Sequence, residues 1–459
     1  MTVDELENQA EVQTRPVSEK PRHVALLRRL GIASACLVLS ALVVLLHERA
    51  YTPLSPVDEL QHIDYLEQAS RFDFVHAGER VGPVAMREQA CRTVDSPGFV
   101  SPPCDAPTLR PEQFQEEGFN TAAQDPPTYY IVSGLLTRVV LHLPGVESFV
   151  AAGRSIGVLW LGFGLLATYV LGRRLGGGRV ATLGAVIMLA STPAVLHSSA
   201  TITSDAPSLL VGGLLLLAVD AALCGRVGAW CPALAAALAT SVKTPDAIVV
   251  GVAILYVLVS LLRGLRGASE SDSTRLPLRH LRLVIGLAIG GALPLLVWRV
   301  VVAHEALATP GDSPMSRFAV LHIGWNELGA NAFALVTPVG NTYVPVFLAT
   351  VTVGLLTAVL NLLLISSSFG VAWFGAGSRR VQELAIAVSV GMLAGGTFFV
   401  LLIYYGAHAY FAIPSRYGLS LLPAAFAVLA VAASLRRWGG PALLGLGVLS
   451  LFVVVRVLV

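Results

Sequence analysis

Long apolar stretches without a single charged residue recur along this chain, 32–46 and 283–298 among them, and they dictate what it can fold into. A helix needs roughly 20 residues to cross about 30 Å of hydrocarbon, and stretches of this kind find burial only in a bilayer. Of the 459 residues, 55% are hydrophobic and 13% charged, against roughly 25% charged in a typical soluble domain. Mean hydropathy is +0.71. A soluble enzyme is excluded. So is a nucleic-acid binder, because the net charge of +2 comes from arginine clusters scattered between apolar stretches and not from a basic face.

By length and apolarity the spans fall at 27–47, 151–172, 180–198, 206–224, 228–242, 246–262, 282–303, 343–366, 381–404, 416–434 and 440–457. That predicts an all-α polytopic membrane protein with eleven transmembrane helices, a membrane domain over 27–459. The fifth and sixth spans are short and meet at Lys243, Thr244 and Pro245, so this pair also reads as one broken excursion. The first span is no cleavable signal peptide, since it is long, follows a polar tail and has no small-residue cleavage site. The tail, 1–26, is predicted to be disordered and cytoplasmic.

Arginines set the direction, because positive charge beside short loops stays cytoplasmic. The clusters at Arg28 and Arg29, Arg173 to Arg179, Arg226, Arg263 to Arg282, Arg379 and Arg380, and Arg436 and Arg437 all fall on one side. The N-terminus is then cytoplasmic, the C-terminus outside, and 48–150 a large extracytoplasmic first loop. This loop holds fifteen acidic and seven basic residues, a net charge of −8. Making 128–143 a span would put most arginine clusters outside. That stretch reads instead as an amphipathic helix on the outer interface, capped by Asp125 with first-turn prolines and with Tyr129 and Tyr130 at interfacial depth.

Cys91 and Cys104 are the two cysteines of the first loop. Outside the cytoplasm they are predicted to form a disulfide closing a loop of about 14 residues, worth roughly 3 kcal/mol. Cys36, Cys224 and Cys231 read as small residues in spans or at their ends.

Chemistry concentrates just after the first span, in Ser55-Pro56-Val57-Asp58-Glu59-Leu60-Gln61-His62. Ser55 and Asp58 fit a Ser-x-x-Asp capping box, and the helix that follows sets Asp58 and His62 on one face. The plain alternative is that Asp58 and Glu59 merely suit the positive end of a helix. Cations stand where charge is expensive: Arg416 opens the tenth span from the outer side, amid Tyr404, Tyr405, His408, Tyr410 and Tyr417, and Lys243 sits at the outer break. Lys243 is one of two lysines in the chain. Polar groups at span ends on one side are candidates for one site, against snorkelling to lipid phosphates. Asp205, in Thr203-Ser204-Asp205-Ala206-Pro207, reads as a cap of the fourth span or as part of that site.

An Asp-Glu pair just beyond the first span, a Pro-Pro-x-Tyr-Tyr helix start in the same loop, and a late Arg-Tyr followed by Pro423 together form a pattern. In order and sidedness it resembles the C-type integral-membrane glycosyltransferases, in particular protein O-mannosyltransferases, lipid A aminoarabinose transferases and related bacterial sugar transferases, over about 27–434. The resemblance implies many transmembrane helices, juxtamembrane helices in the first loop, and transfer of a sugar from a polyprenyl-phosphate donor to an envelope glycan, lipid or protein outside the cytoplasm. Asp58 then matches the base and Glu59 the second acid of the pair, and Arg416 a cation for the donor phosphate. Lys243 and Asp205 match by location alone. His62, Asp205, Tyr129 and Tyr417 are candidate sugar or acceptor contacts. Ser415 departs from the Gln-Gly that precedes Arg-Tyr in many relatives, and the metal-binding Asp-x-Asp motif is absent. No cofactor is predicted, and a divalent metal stays open.

A multi-span transporter or flippase of a lipid-linked glycan is the alternative. Against it stand the lack of an inverted repeat and the scarcity of ionisable residues near mid-span, Asp220 being the main exception. A second outer region, about 304–342, carries His304, Glu305, Asp312, Trp325, Asn326, Glu327 and Asn331 and reads as a solvated loop rather than an acceptor groove.

Overall fold

The computed structural model describes residues 22–146, 148–266, 275–307, 314–337, 339 and 343–459. Most of the expected tail, residues 1–21, and Asp312 lie outside the described residues. Among them no strand ladder forms: three isolated bridges join loops, Leu54 to Val94, Arg80 to Phe119 and Ala319 to Ala409. The protein is all-α and multi-pass. Among the described residues eight helices are long and apolar enough to cross a membrane. Arg179–Ala190 and Pro193–Ala200 are apolar enough together for a ninth, as a broken span or a re-entrant pair, and are bent by 60°, where Pro193 cannot continue the first helix's hydrogen bonds.

All eleven expected apolar segments contain a helix, but two of them are too short to meet the length of a full span. Ser208–Leu223 has 16 residues and Trp230–Val242 has 13. At about 1.5 Å per residue the second rises only about 20 Å, short of the hydrocarbon thickness. Two boundaries also move. The first helix, Arg22–Ala50, reaches back into the expected tail. The segment expected at 343–366 becomes helical only at Val351–Phe374, where the Thr350 hydroxyl accepts from the Val353 amide.

The first loop folds onto one end of the bundle. Glu59–Ala69, Pro83–Arg92 and Thr128–Leu141 are its helices, and a second apolar cluster, with Leu60, Ile63, Leu66, Tyr130 and Val150, continues into Ala239 and Val242 at a span end. Cys91 and Cys104 are joined by a disulfide. Thr128–Leu141 is amphipathic, exposing Val132, Leu135 and Val139 while burying Ser133, Gly134 and Thr137. Tyr129 and Tyr130 lie on its buried side: Tyr130 packs on Tyr65 of Glu59–Ala69, and Tyr129 packs beside Tyr130 and Trp160. Gly134 makes that approach possible: a Cβ there would stand 2.7 Å from the Leu66 carbonyl oxygen.

A second close approach serves the site. A Cβ on Gly212 would lie 2.1 Å from the Ser420 carbonyl oxygen, so only glycine lets Ser208–Leu223 meet the Ser415–Leu421 segment. Small residues at such contacts are the usual means of packing membrane helices closely. At the bundle's other end Asp220, fully buried, pairs with Arg380 at 2.8 Å, which accounts for its place in an apolar segment. Asn331, expected in a solvated loop, is buried instead. Its amide bonds the Glu327 carbonyl and Tyr410 Oη and accepts from Ile413 N, which anchors the strap leading to Arg416.

Candidate active site at the first-loop end

Asp58 stands where the first loop turns into its first helix. It is the residue before Glu59–Ala69, with left-handed backbone (φ 57°, ψ 16°), and its carboxylate makes no capping bond. The expected capping box therefore does not form. The Ser55 hydroxyl accepts from Val57 N instead and bonds His197 Nε2 at 3.1 Å. Aspartate enters the left-handed region more readily than most residues, and here that geometry leaves a half-buried carboxylate free of the helix end. Burial raises the Asp58 carboxyl above its ordinary range, against the pull of Arg416 and Lys243.

Glu59 has a different situation. Its carboxylate is fully buried and takes four donors: Arg154 Nε at 2.8 Å and Nη2 at 2.7 Å, Ser55 N at 2.6 Å and Ile202 N at 3.0 Å. Arg154 also donates to the Tyr51 and Pro53 carbonyls. With its lone pairs so committed, Glu59 fixes the backbone beside Asp58 and has no capacity left for a substrate proton.

Of the two readings of Asp205 the cap does not form: Pro207 occupies the cap position and no side chain caps that helix. Asp205 is instead the anion between two cations. Lys243 Nζ lies 2.7 Å from Oδ1 and Arg416 Nε lies 3.3 Å from Oδ2. Burial pushes Asp205 up, yet Lys243 and Arg416 outweigh it and hold its carboxyl below the ordinary range. For Lys243 burial acts downward and Asp205 and Asp125 prevail, so its ammonium is held above the usual lysine value. Tyr417 presents its ring to both cations, at 5.3 Å from Lys243 and 5.4 Å from Arg416, an arrangement that favours positive charge. The three come from separate chain segments: a break after a short helix, a loop before another, and the 3-10 turn Ser415–Leu421.

Around this cluster lie expected residues in unexpected roles, and others that sequence reasoning passed over. Asp125 does not cap a helix; Pro127 holds that place. Its carboxylate accepts from Ser204 Oγ at 2.6 Å and Tyr130 Oη at 3.2 Å. Tyr130 Oη also bonds His62 Nδ1 at 2.7 Å. Burial, with Lys243 nearby, lowers His62 to about 3, so its imidazole is neutral. Tyr129 is buried and bonds within the fold, to Thr203 and Ser133. A small pocket is lined by Ser55, His197, Thr203, Asp205, Tyr343 and Arg416. Arg154 carried one legible signal, a lone arginine in an apolar segment, which requires a buried partner. His197 and Ser204 carried none. Among the described residues no group of three His, Cys, Asp or Glu side chains is arranged to hold a metal ion.

The arrangement offers one half-buried carboxylate, two cations tied to a shared acid, and a neutral histidine. Such a set can take a proton at Asp58 and oppose negative charge at Arg416 and Lys243.

No protein-family model and no curated protein matches this chain. Among solved structures its fold is similar to that of ArnT from Cupriavidus metallidurans bound to undecaprenyl phosphate. The TM-score is 0.45 at 16% identity, over 94% of this chain and 63% of that one. The apo state of the same protein gives 0.42 at 15% identity, over 89% and 60%. This chain thus spans somewhat less than two thirds of ArnT's length.

Proposed function

We propose that the protein is an integral-membrane glycosyltransferase that moves a sugar from a polyprenyl-phosphate donor to an acceptor outside the cytoplasm. The observation that carries this reading is the Lys243–Asp205–Arg416 cluster, whose two cations exert their charge on Asp58. A hydroxyl acceptor is a weak nucleophile until a carboxylate within reach takes its proton as attack begins. In this reading Asp58 is that base. The acceptor oxygen bonds the anomeric carbon, the bond from that carbon to the phosphate oxygen breaks, and the lipid phosphate leaves with the electron pair. Attack opposite the phosphate inverts the anomeric centre.

The leaving phosphate gains charge in a partly dry site, where a positioned cation is worth several kcal/mol. Arg416 and Lys243 meet that need, and Asp205 keeps the two from repelling each other before the lipid arrives. Glu59 serves by position, through Arg154. The membrane spans beside Thr128–Leu141 hold the prenyl tail, and the arginine distribution supports a site on the extracytoplasmic face.

The test is sugar transfer by purified, reconstituted protein offered a panel of polyprenyl-phosphate sugars with envelope acceptors. Transfer by the parent and its loss in Arg416→Ala, with folding retained, supports the reading. Full activity in Arg416→Ala removes the phosphate role. An absence of transfer with every donor, alongside movement of a lipid-linked glycan across the vesicle, favours a flippase.

A further inference from the structure

Gln61 and Tyr65 are buried on the helix that Asp58 begins, 1% and 0% exposed, and their polar ends are unmatched. Among the described residues neither Gln61 Nε2 nor Oε1 nor Tyr65 Oη has a hydrogen-bond partner. The rest of that helix does not share this looseness. Glu59 takes four donors, His62 bonds Tyr130, Asp64 accepts from Gly82 N, Asn120 and Gln68, and Gln68 bonds Asp64 and Glu79. Buried polar groups are almost always paired, and leaving one unmade is costly. Two such side chains four residues apart lie on one face of a helix, and Asp58 precedes Gln61 by three.

We infer that Gln61 and Tyr65 read the donor's sugar, each pairing with ring hydroxyls; the inference rests on the glycosyltransferase reading. A carboxamide offers an acceptor and two N–H donors, and a phenol offers one donor and one acceptor. That suits a hydroxyl, which gives and takes. Both groups are neutral, so they suit an uncharged polyol, whereas Lys243 and Arg416 suit the phosphate. Tyr65 is held for the task by its ring, stacked on Tyr130 at 3.9 Å with planes 16° apart, and the backbone carbonyl of Gln61 is tied to Asn120 Nδ2. A site built to hydrogen-bond a substrate hydroxyl rejects ligands that lack it, since its own groups then stay unpaired.

The experiment uses full-length protein in lipid nanodiscs, with bare undecaprenyl phosphate and the same lipid carrying mannose, glucose, galactose or arabinose. Thermal midpoint and Kd are measured for the parent, Gln61→Leu and Tyr65→Phe. Both variants are expected to keep or raise the midpoint and to bind bare lipid within about 2-fold of the parent. They should lose roughly 30-fold or more of the affinity for the sugar-bearing lipid that the parent prefers. A midpoint lowered by several degrees would show that these groups serve the fold, and overturns the inference. Retained sugar preference in both variants overturns it as well, and so does a parent that prefers no sugar-bearing lipid over the bare one. A parent that fails to bind bare undecaprenyl phosphate takes down the donor reading first, and this inference with it.

Discussion

Arg154 grips Glu59 through two nitrogens, at 2.8 and 2.7 Å, and neither side chain reaches solvent. The pair joins a span to the first loop, one residue from Asp58. Removing one partner of a buried ion pair strands the other charge, at a cost of about 3–5 kcal/mol. Arg154→Leu is therefore expected to lower the thermal midpoint sharply, and the double variant Arg154→Leu/Glu59→Gln to recover part of the loss. Thermal unfolding in detergent checks both. A single variant as stable as the parent contradicts the clamp.

Asp205→Asn removes the anion that Lys243 and Arg416 share. Turnover is expected to fall by roughly 100-fold, comparable to losing one positioned electrostatic group in a dry site. Steady-state kinetics on the reconstituted protein, beside Cys231→Ser as a distant control, measures it.

Much of this organisation was legible in the sequence. Length and apolarity mark the long helices from 151 onward, though not the short helix Trp325–Ala332, which lies in a region read as a loop, and the arginine clusters mark one end of the bundle. The cations were found because charge beside an apolar run demands a reason. The roles of the acids were less legible. Asp58, Asp125 and Asp205 each precede a helix, where capping is the ordinary expectation, but none caps; Asp125 takes Ser204 and Asp205 takes Lys243, both distant in sequence. Local pattern carries no record of such partners. The same holds for Arg154 and Glu59, 95 residues apart.

Acid pH should stabilise the first loop through Asp64. Burial raises its carboxyl from 3.8 to about 6, against the donors Gly82 and Asn120. A carboxyl raised in the fold binds more protons folded than unfolded, so its contribution is fully present below pH 3.8 and lost as pH rises towards 6. Asp64→Asn should flatten the fall in thermal midpoint between those limits. An unchanged slope in the variant contradicts the assignment.

The Cys91–Cys104 bridge closes a short loop beside the Pro83–Arg92 helix. Cys91→Ser under oxidising conditions, or the parent with reductant present, is expected to lose about 3 kcal/mol, seen as a lower thermal midpoint. Equal midpoints for parent and variant would remove the stabilising role.

The central claim is that Asp58 is the base of a sugar transfer, and Asp58→Asn tests it most directly, since the change keeps size and removes the proton acceptor. Initial rates of transfer from polyprenyl-phosphate sugars are measured across pH for both proteins in the same vesicles. The parent should transfer one sugar, with an acid limb above the ordinary carboxylate value of about 3.9, because burial raises Asp58. The variant should lose roughly 100-fold or more while its fold and its binding of undecaprenyl phosphate persist. Equal rates in the two proteins would contradict the account.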